Sequence, residues 1–161
     1  MTLLLGLAGL ALIIGWACAP LWIDLVPTGA EVRKGTDGNF GRGIAAVTIA
    51  AAQCLYRKTD DTIALCDADG DATTSLCIGI ATHGSLAGQV IEWQNGGSFT
   101  VGATAAMTVG IVYCTSDNAG GIRPSADINN GDRTTVLGVA STTAILMMPQ
   151  TGVFNSQVVK A

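Results

Sequence analysis

Residues 1–23 carry no charged side chain, and residues 3–16 are apolar on every side whatever backbone they adopt. Beyond them the pattern changes twice. Residues 24–42 bring Pro27, the glycines Gly29, Gly35, Gly38 and Gly41, and charges at Glu31, Arg33, Lys34 and Asp37. That mixture keeps no helical period and predicts an extended linker. From residue 43 to residue 154 short apolar runs alternate with Gly, Asp, Asn, Ser and Thr at the spacing of an all-β domain. The runs predict strands at 47–49, 54–56, 63–66, 77–81, 90–93, 99–101, 111–114, 122–123, 136–140 and 145–148. Asn95-Gly96 and Asn130-Gly131 predict tight turns, because both residue types tolerate positive φ. Residues 155–161 are left as a C-terminal tail.

The β region repeats itself. Gln53-Cys54-Leu55-Tyr56, Ala68-Asp69, Ile78-Gly79-Ile80-Ala81 and Gly97-Ser98-Phe99 recur in order as Gly110-Ile111-Val112-Tyr113, Ala126-Asp127, Leu137-Gly138-Val139-Ala140 and Gly152-Val153-Phe154. Equal order at nearly equal spacing predicts two related halves packed as a small β-barrel or sandwich.

The apolar arm at residues 1–23 needs cover. About 20 apolar residues as a helix span roughly 30 Å, the thickness of a bilayer core, and Trp16 and Trp22 would suit its interfaces. A secretory signal is poorly formed: there is no basic start, and Pro20 follows Ala17-Cys18-Ala19 directly. No Lys or Arg stands on the distal flank before Arg33, so the basic anchor of a spanning helix is missing there. The segment is therefore expected to be an assembly arm buried against neighbouring subunits, with a membrane anchor as the alternative. Its candidate contacts are Leu3, Leu4, Leu5, Leu7, Leu10, Leu12, Ile13, Ile14, Trp16, Leu21 and Trp22.

Composition narrows the function classes. Only 12% of the 161 residues are charged, about half the usual share, so the surface is built from Thr, Ser, Asn, Gln, Ala and Gly. Hydrophobic residues at 49% with a net charge of -4 exclude a disordered chain, and the acidic balance offers no broad cationic face for nucleic acid. The one histidine, His83, removes most histidine chemistry and most zinc sites. The five cysteines, Cys18, Cys54, Cys66, Cys77 and Cys114, contain no C-x-x-C pair and are odd in number, so they are read as free, mostly buried thiols. Asp67-Ala68-Asp69-Gly70-Asp71 alternates carboxylates as a calcium loop does. An EF-hand needs Gly at its sixth position and Glu at its twelfth, where this chain has Ala72 and Ile78, so an acidic turn is expected instead. No G-x-S-x-G elbow occurs, and neither a catalytic centre, a metal nor a cofactor is expected.

The runs Val47-Thr48-Ile49-Ala50-Ala51-Ala52-Gln53-Cys54-Leu55-Tyr56, Cys66-Asp67-Ala68-Asp69, Ile78-Gly79-Ile80-Ala81, Ala87-Gly88-Gln89-Val90 and Leu137-Gly138-Val139-Ala140, taken in order, resemble small tailed-bacteriophage virion proteins of the head decoration or capsid cement type. The resemblance covers residues 24–154; Ala52 stands where that pattern has Gly, and residues 1–22 lie outside it. It implies a non-catalytic β module on the outer capsid surface. Such a module binds assembled major capsid protein, often as a homotrimer, and clamps neighbouring capsomers. A receptor- or glycan-binding virion spike is the other class left open.

Overall fold

The computed structural model describes residues 37–102, 106–149 and 157–159. The arm with all its candidate contacts, Leu3 to Trp22, lies outside the described residues.

The chain is all-β. Its strands are β1 (Phe40–Ile44), β2 (Cys54–Arg57), β3 (Ile63–Leu65), β4 (Gly79–Ala81), β5 (Val90–Gln94), β6 (Gly97–Thr100), β7 (Val112–Thr115), β8 (Ile122–Pro124), β9 (Arg133–Ala140), β10 (Ile145–Met148) and β11 (Gln157–Val159). They form two antiparallel sheets in a small sandwich, ordered β1-β5-β4-β2-β3 and β6-β10-β9-β7-β8, with β11 added on β9. Adding five to every strand number of the first order produces the second. The chain is therefore two halves of one topology.

The ladders show which residues are equivalent. Gly79 faces Leu55 in the first half, and Gly138 faces Tyr113 in the second. Gly79 and Gly138 thus correspond as the sequence repeat predicts, but Tyr113 matches Leu55 rather than Tyr56. The one-residue slip matters because successive strand residues point to opposite faces. Phe99 also changes partner: it lies in β6, the counterpart of β1, so the second half starts there, and Phe154 falls outside the described residues.

Most predicted strands are present; three differences have physical causes. The 47–49 run forms no strand, only an isolated bridge from Ile49 to Ser85. In its place β1 begins at Phe40, inside the segment expected to be linker. Its Gly41 and Gly43 break the apolar alternation because a Cβ at Gly41 would overlap the Trp93 ring and one at Gly43 would meet Ile63. Within the expected tail, Gln157–Val159 gains strand geometry only by pairing with Thr135, Thr134 and Arg133 of β9. Of the two predicted turns, Asn130-Gly131 is a tight turn, with Gly131 at φ 92° and the Asp132 N–H donating to Asn129 O at 3.3 Å. Asn95-Gly96 instead carries the chain from one sheet to the other, and the residue at positive φ is Gly97 (73°).

Two cores result. Leu55, Ile63, Ala81, Ile91 and Trp93 point from one face of the first sheet onto Ala45 and Ile49. A parallel bridge from Ala45 to Ile63 joins the end of β1 to β3 on that side. The opposite face of the first sheet, with Cys54, Cys66, Cys77 and Ile80, packs with Phe99, Val101, Tyr113, Ile122, Leu137, Leu146 and Met148 of the second half. Backbone hydrogen bonds stitch the halves together: Cys54 N–H to Gly120 O (2.9 Å), Gly120 N–H to Cys66 O (2.7 Å), Ala68 N–H to Ser116 O (2.9 Å) and Arg133 N–H to Ala68 O (2.7 Å).

Candidate functional site

A sheet face becomes an interaction surface when its outward residues are apolar, uncharged and unpacked. Residues 93–116 and 134–159 contain no charged side chain. Those two stretches contribute β6, β7, β10 and all of β9 beyond Arg133. Their registers set Ser98, Met147, Val139 and Val112 side by side in one cross-strand row. Met147 and Val139 are each 41% exposed. Ile111 and Val109, just before β7, add further exposed apolar surface.

The equivalent row of the first half is Phe40, Gln94, Ile80 and Cys54. There Gln94, Ile80 and Cys54 are each 0% exposed, because the second half lies on them. One position in the repeated architecture is covered in one copy and bare in the other. A second exposed apolar group lies on the first half, where the ladder partners Ile44 and Val90 are joined by Leu86, at the start of the turn whose Gln89 N–H donates to Leu86 O (3.0 Å).

Around the junction of the halves the chain builds an ionic knot that sequence reading missed. Arg123 is buried and its guanidinium pairs with Asp117 and with Asp132 (3.5 Å), and also donates to Asp127 O (3.1 Å) and Ser116 Oγ (3.2 Å). Nothing in the spacing of those residues marks them as partners. The knot is a fastening between loops, with both terminal nitrogens of the guanidinium directed at acceptors of the same chain.

The acidic turn expected at Asp67–Asp71 is a turn. The Asp71 carboxylate accepts from the backbone N–H groups of Thr73 and Thr74, both at 2.8 Å, and these bonds hold it below the usual carboxylate range. Burial, and then the neighbouring Asp69, push the Asp67 carboxyl up to about 6, and its Oδ1 has no hydrogen-bond partner. Among the described residues, no three His, Cys, Asp or Glu side chains converge as metal ligands. Beside this turn an open cleft of about 520 Å³ is lined by Tyr56, Leu65, Asp67, Asp71 and Thr74 among others.

His83 is exposed, with both ring nitrogens engaged by backbone: Nδ1–H donates to Gly84 O (2.9 Å) and Nε2 accepts from Glu92 N–H (3.3 Å). Cys54, Cys66, Cys77 and Cys114 are buried free thiols. Burial pushes Cys54 well up and Cys114 up to about 11, so both stay protonated and unreactive at neutral pH. No protein-family model matches the chain, and no curated protein matches it. The surfaces themselves therefore carry the functional argument.

Proposed function

We propose that the protein is a structural virion component that decorates and stabilises a phage capsid by binding the assembled major capsid protein on its outer surface, as a homo-oligomer of the trimer type. One observation carries this reading: a small β body leaves two apolar surfaces open, the Ile44–Val90 pair near Leu86 and the uncharged row Val112–Val139–Met147. A module whose work is to be covered by other proteins requires such surfaces. The order of sequence motifs shared with decoration proteins points the same way, and the apolar arm adds contact area. Binding the assembled lattice and not its free subunits raises lattice stability by mass action. Several weak contacts per particle position would add avidity.

The test is reconstitution on capsids prepared without this chain. The full-length protein is expected to saturate the particles and raise their heat-disruption temperature. L86D and V90D, which put a charge into the first apolar surface, are expected to remain folded and weaken decoration at least about tenfold. Failure of the wild-type chain to bind any assembled capsid would overturn the reading.

A further inference from the structure

The outer edge of β3 ends in unpaired backbone beside the open cleft. In the β2–β3 ladder Tyr56 faces Ala64, and the flanking bonds run from Cys66 N–H to Cys54 O (2.9 Å) and from Lys58 N–H to Thr62 O (2.9 Å). Ala64 therefore turns its backbone groups towards β2, whereas Ile63 and Leu65 turn theirs away. On that outer side Ile63 O accepts from Ala46 N–H (2.7 Å), but the chain then bends away from β3. Neither Leu65 N–H nor Leu65 O has a backbone partner among the described residues. The cleft of about 520 Å³ lies between this edge and the departing Val47 and Thr48. We infer that the cleft is a docking slot for an extended, arginine-bearing segment of another protein, which adds a short antiparallel strand to β3 at Leu65 and sets a guanidinium beside Asp67, Asp71 and Tyr56.

Three observations lead there. The first is the repeat. Leu65 faces Leu55 and Pro124 faces Tyr113, so Pro124 is the counterpart of Leu65. Proline has no N–H and bars the addition of a strand. The second half thus closes this edge, and the first half leaves it able to pair.

The second is charge. No Lys, Arg or His lines the cleft, although Asp67 and Asp71 do. Lys58, in the adjoining hollow, is already paired with Asp60 (3.1 Å). The bonds from Thr73 and Thr74 all reach Asp71 Oδ1, which leaves Oδ2 to accept from a visitor. Asp67 Oδ1 has no partner, and burial and then Asp69 push its carboxyl up to about 6 with no cation to offset them. A cation brought by the partner would stabilise both carboxylates.

The third is strand parity. The residue paired with Leu65 points its side chain to the face of Leu65, and its two neighbours point to the face of Ala64 and Tyr56. On that second face Tyr56 lines the cleft, and an aromatic ring is a surface on which a guanidinium stacks. An occupant that alternates arginine with apolar residues therefore meets the edge and the carboxylates together. The slot is separate from the two apolar surfaces of the proposed function, and no particle enters its test, so either can fail alone.

The probe is the pentapeptide acetyl-Val-Arg-Val-Arg-Val-amide, titrated into the isotope-labelled full-length chain at neutral pH and followed by NMR. Saturable binding is expected with a Kd of about 1 mM or tighter. The Leu65 N–H is expected to shift and to exchange with solvent at least about tenfold more slowly at saturation. The full-length variant D67N/D71N, whose amides keep an acceptor oxygen for the turn, is expected to bind at least about tenfold more weakly. Methylating the central valine nitrogen of the peptide removes the donor to Leu65 O without touching the protein, and is expected to cost at least about tenfold as well.

The two peptide comparisons on the wild-type chain decide the matter even if D67N/D71N does not fold. No saturable binding would overturn the inference, as would equal affinity for acetyl-Val-Glu-Val-Glu-Val-amide or for the N-methylated peptide. Unchanged affinity of a folded D67N/D71N would overturn it too. Methyl galactoside shifting the Leu65 and Thr74 amides where the peptide does not would assign the cleft to a glycan and overturn it as well.

Discussion

At the scale of single residues, the loops of the second half that border the junction are held by charges with little access to water. Arg123 holds Asp117 and Asp132 across the β7–β8 and β8–β9 loops. Replacing it by Met leaves two carboxylates unpaired, Asp132 in a buried position, and is expected to cost about 3–5 kcal/mol in chemical denaturation. R123K keeps the charge but not the planar fork, and is expected to fall between wild type and R123M. Asp67 has the opposite effect on stability. Its folded-state carboxyl titrates near 6, above the ordinary value of 3.8, because it is partly buried and sits beside Asp69. The folded state therefore favours the protonated acid. That contribution to stability is complete below the unfolded value and is lost as pH rises through about 6. D67N is expected to melt higher than wild type at pH 7.5 and to show a flatter melting temperature between pH 4 and 7. Thermal melts across that range check both statements. The Asp-x-Asp spacing sets Asp69 beside Asp67, whereas the burial that raises the carboxyl most and the orphan Oδ1 come from the tertiary structure.

At the scale of elements, two glycines mark equivalent points in the two halves. A Cβ on Gly138 would overlap the carbonyl oxygen of Met147, and one on Gly79 would strike the Trp93 ring and approach Gln94 O at 2.8 Å. G138A meets rigid backbone and is expected to lower stability by about 1–3 kcal/mol or more, separating β9 from β10. G131A is the contrast. Nothing lies within 4 Å of its Cβ, so only the left-handed φ of 92° opposes it, at about 1–2 kcal/mol. Urea titrations of both variants separate crowding from backbone strain. Gly79 and Gly138 were legible as strand glycines because each sits inside an apolar run. β1 was not, since Gly41 and Gly43 give way to the Trp93 and Ile63 side chains, which lie 52 and 20 residues further on.

At the scale of the molecule, the halves are expected to unfold as one cooperative unit. The second core is shared: Cys54, Cys66, Cys77 and Ile80 of the first half pack with Tyr113, Leu137 and Leu146 of the second. A fragment of residues 37–96 alone would present those side chains and the stitching N–H of Cys54 to water. It is expected to show no cooperative melt by circular dichroism, while residues 37–161 give one transition. Deleting residues 1–22 is expected to leave the β body folded, because the two described cores are built from residues between Ala45 and Met148. On particles the same deletion is expected to reduce retention strongly in a sedimentation assay. Equal retention of the truncated and full-length chains would move the contact to the β body.

Local chemistry along the chain determined the all-β class, most strand positions, the existence of two related halves, the acidic turn at Asp67–Asp71 and the burial of Cys54, Cys66, Cys77 and Cys114. Each follows from alternation, turn residues or composition, which act over a few neighbours. The tertiary structure decided what depends on partners far apart in sequence. The equivalence of Tyr113 with Leu55 and of Phe99 with Gly41 is set by ladder register, where a one-residue slip exchanges the faces. The Arg123 knot is set by loops meeting at the junction. The contrast between buried Ile80 and exposed Val139 arises because the two sheets stack in the same sense, so the face that packs on the second half in the first copy points outward in the second.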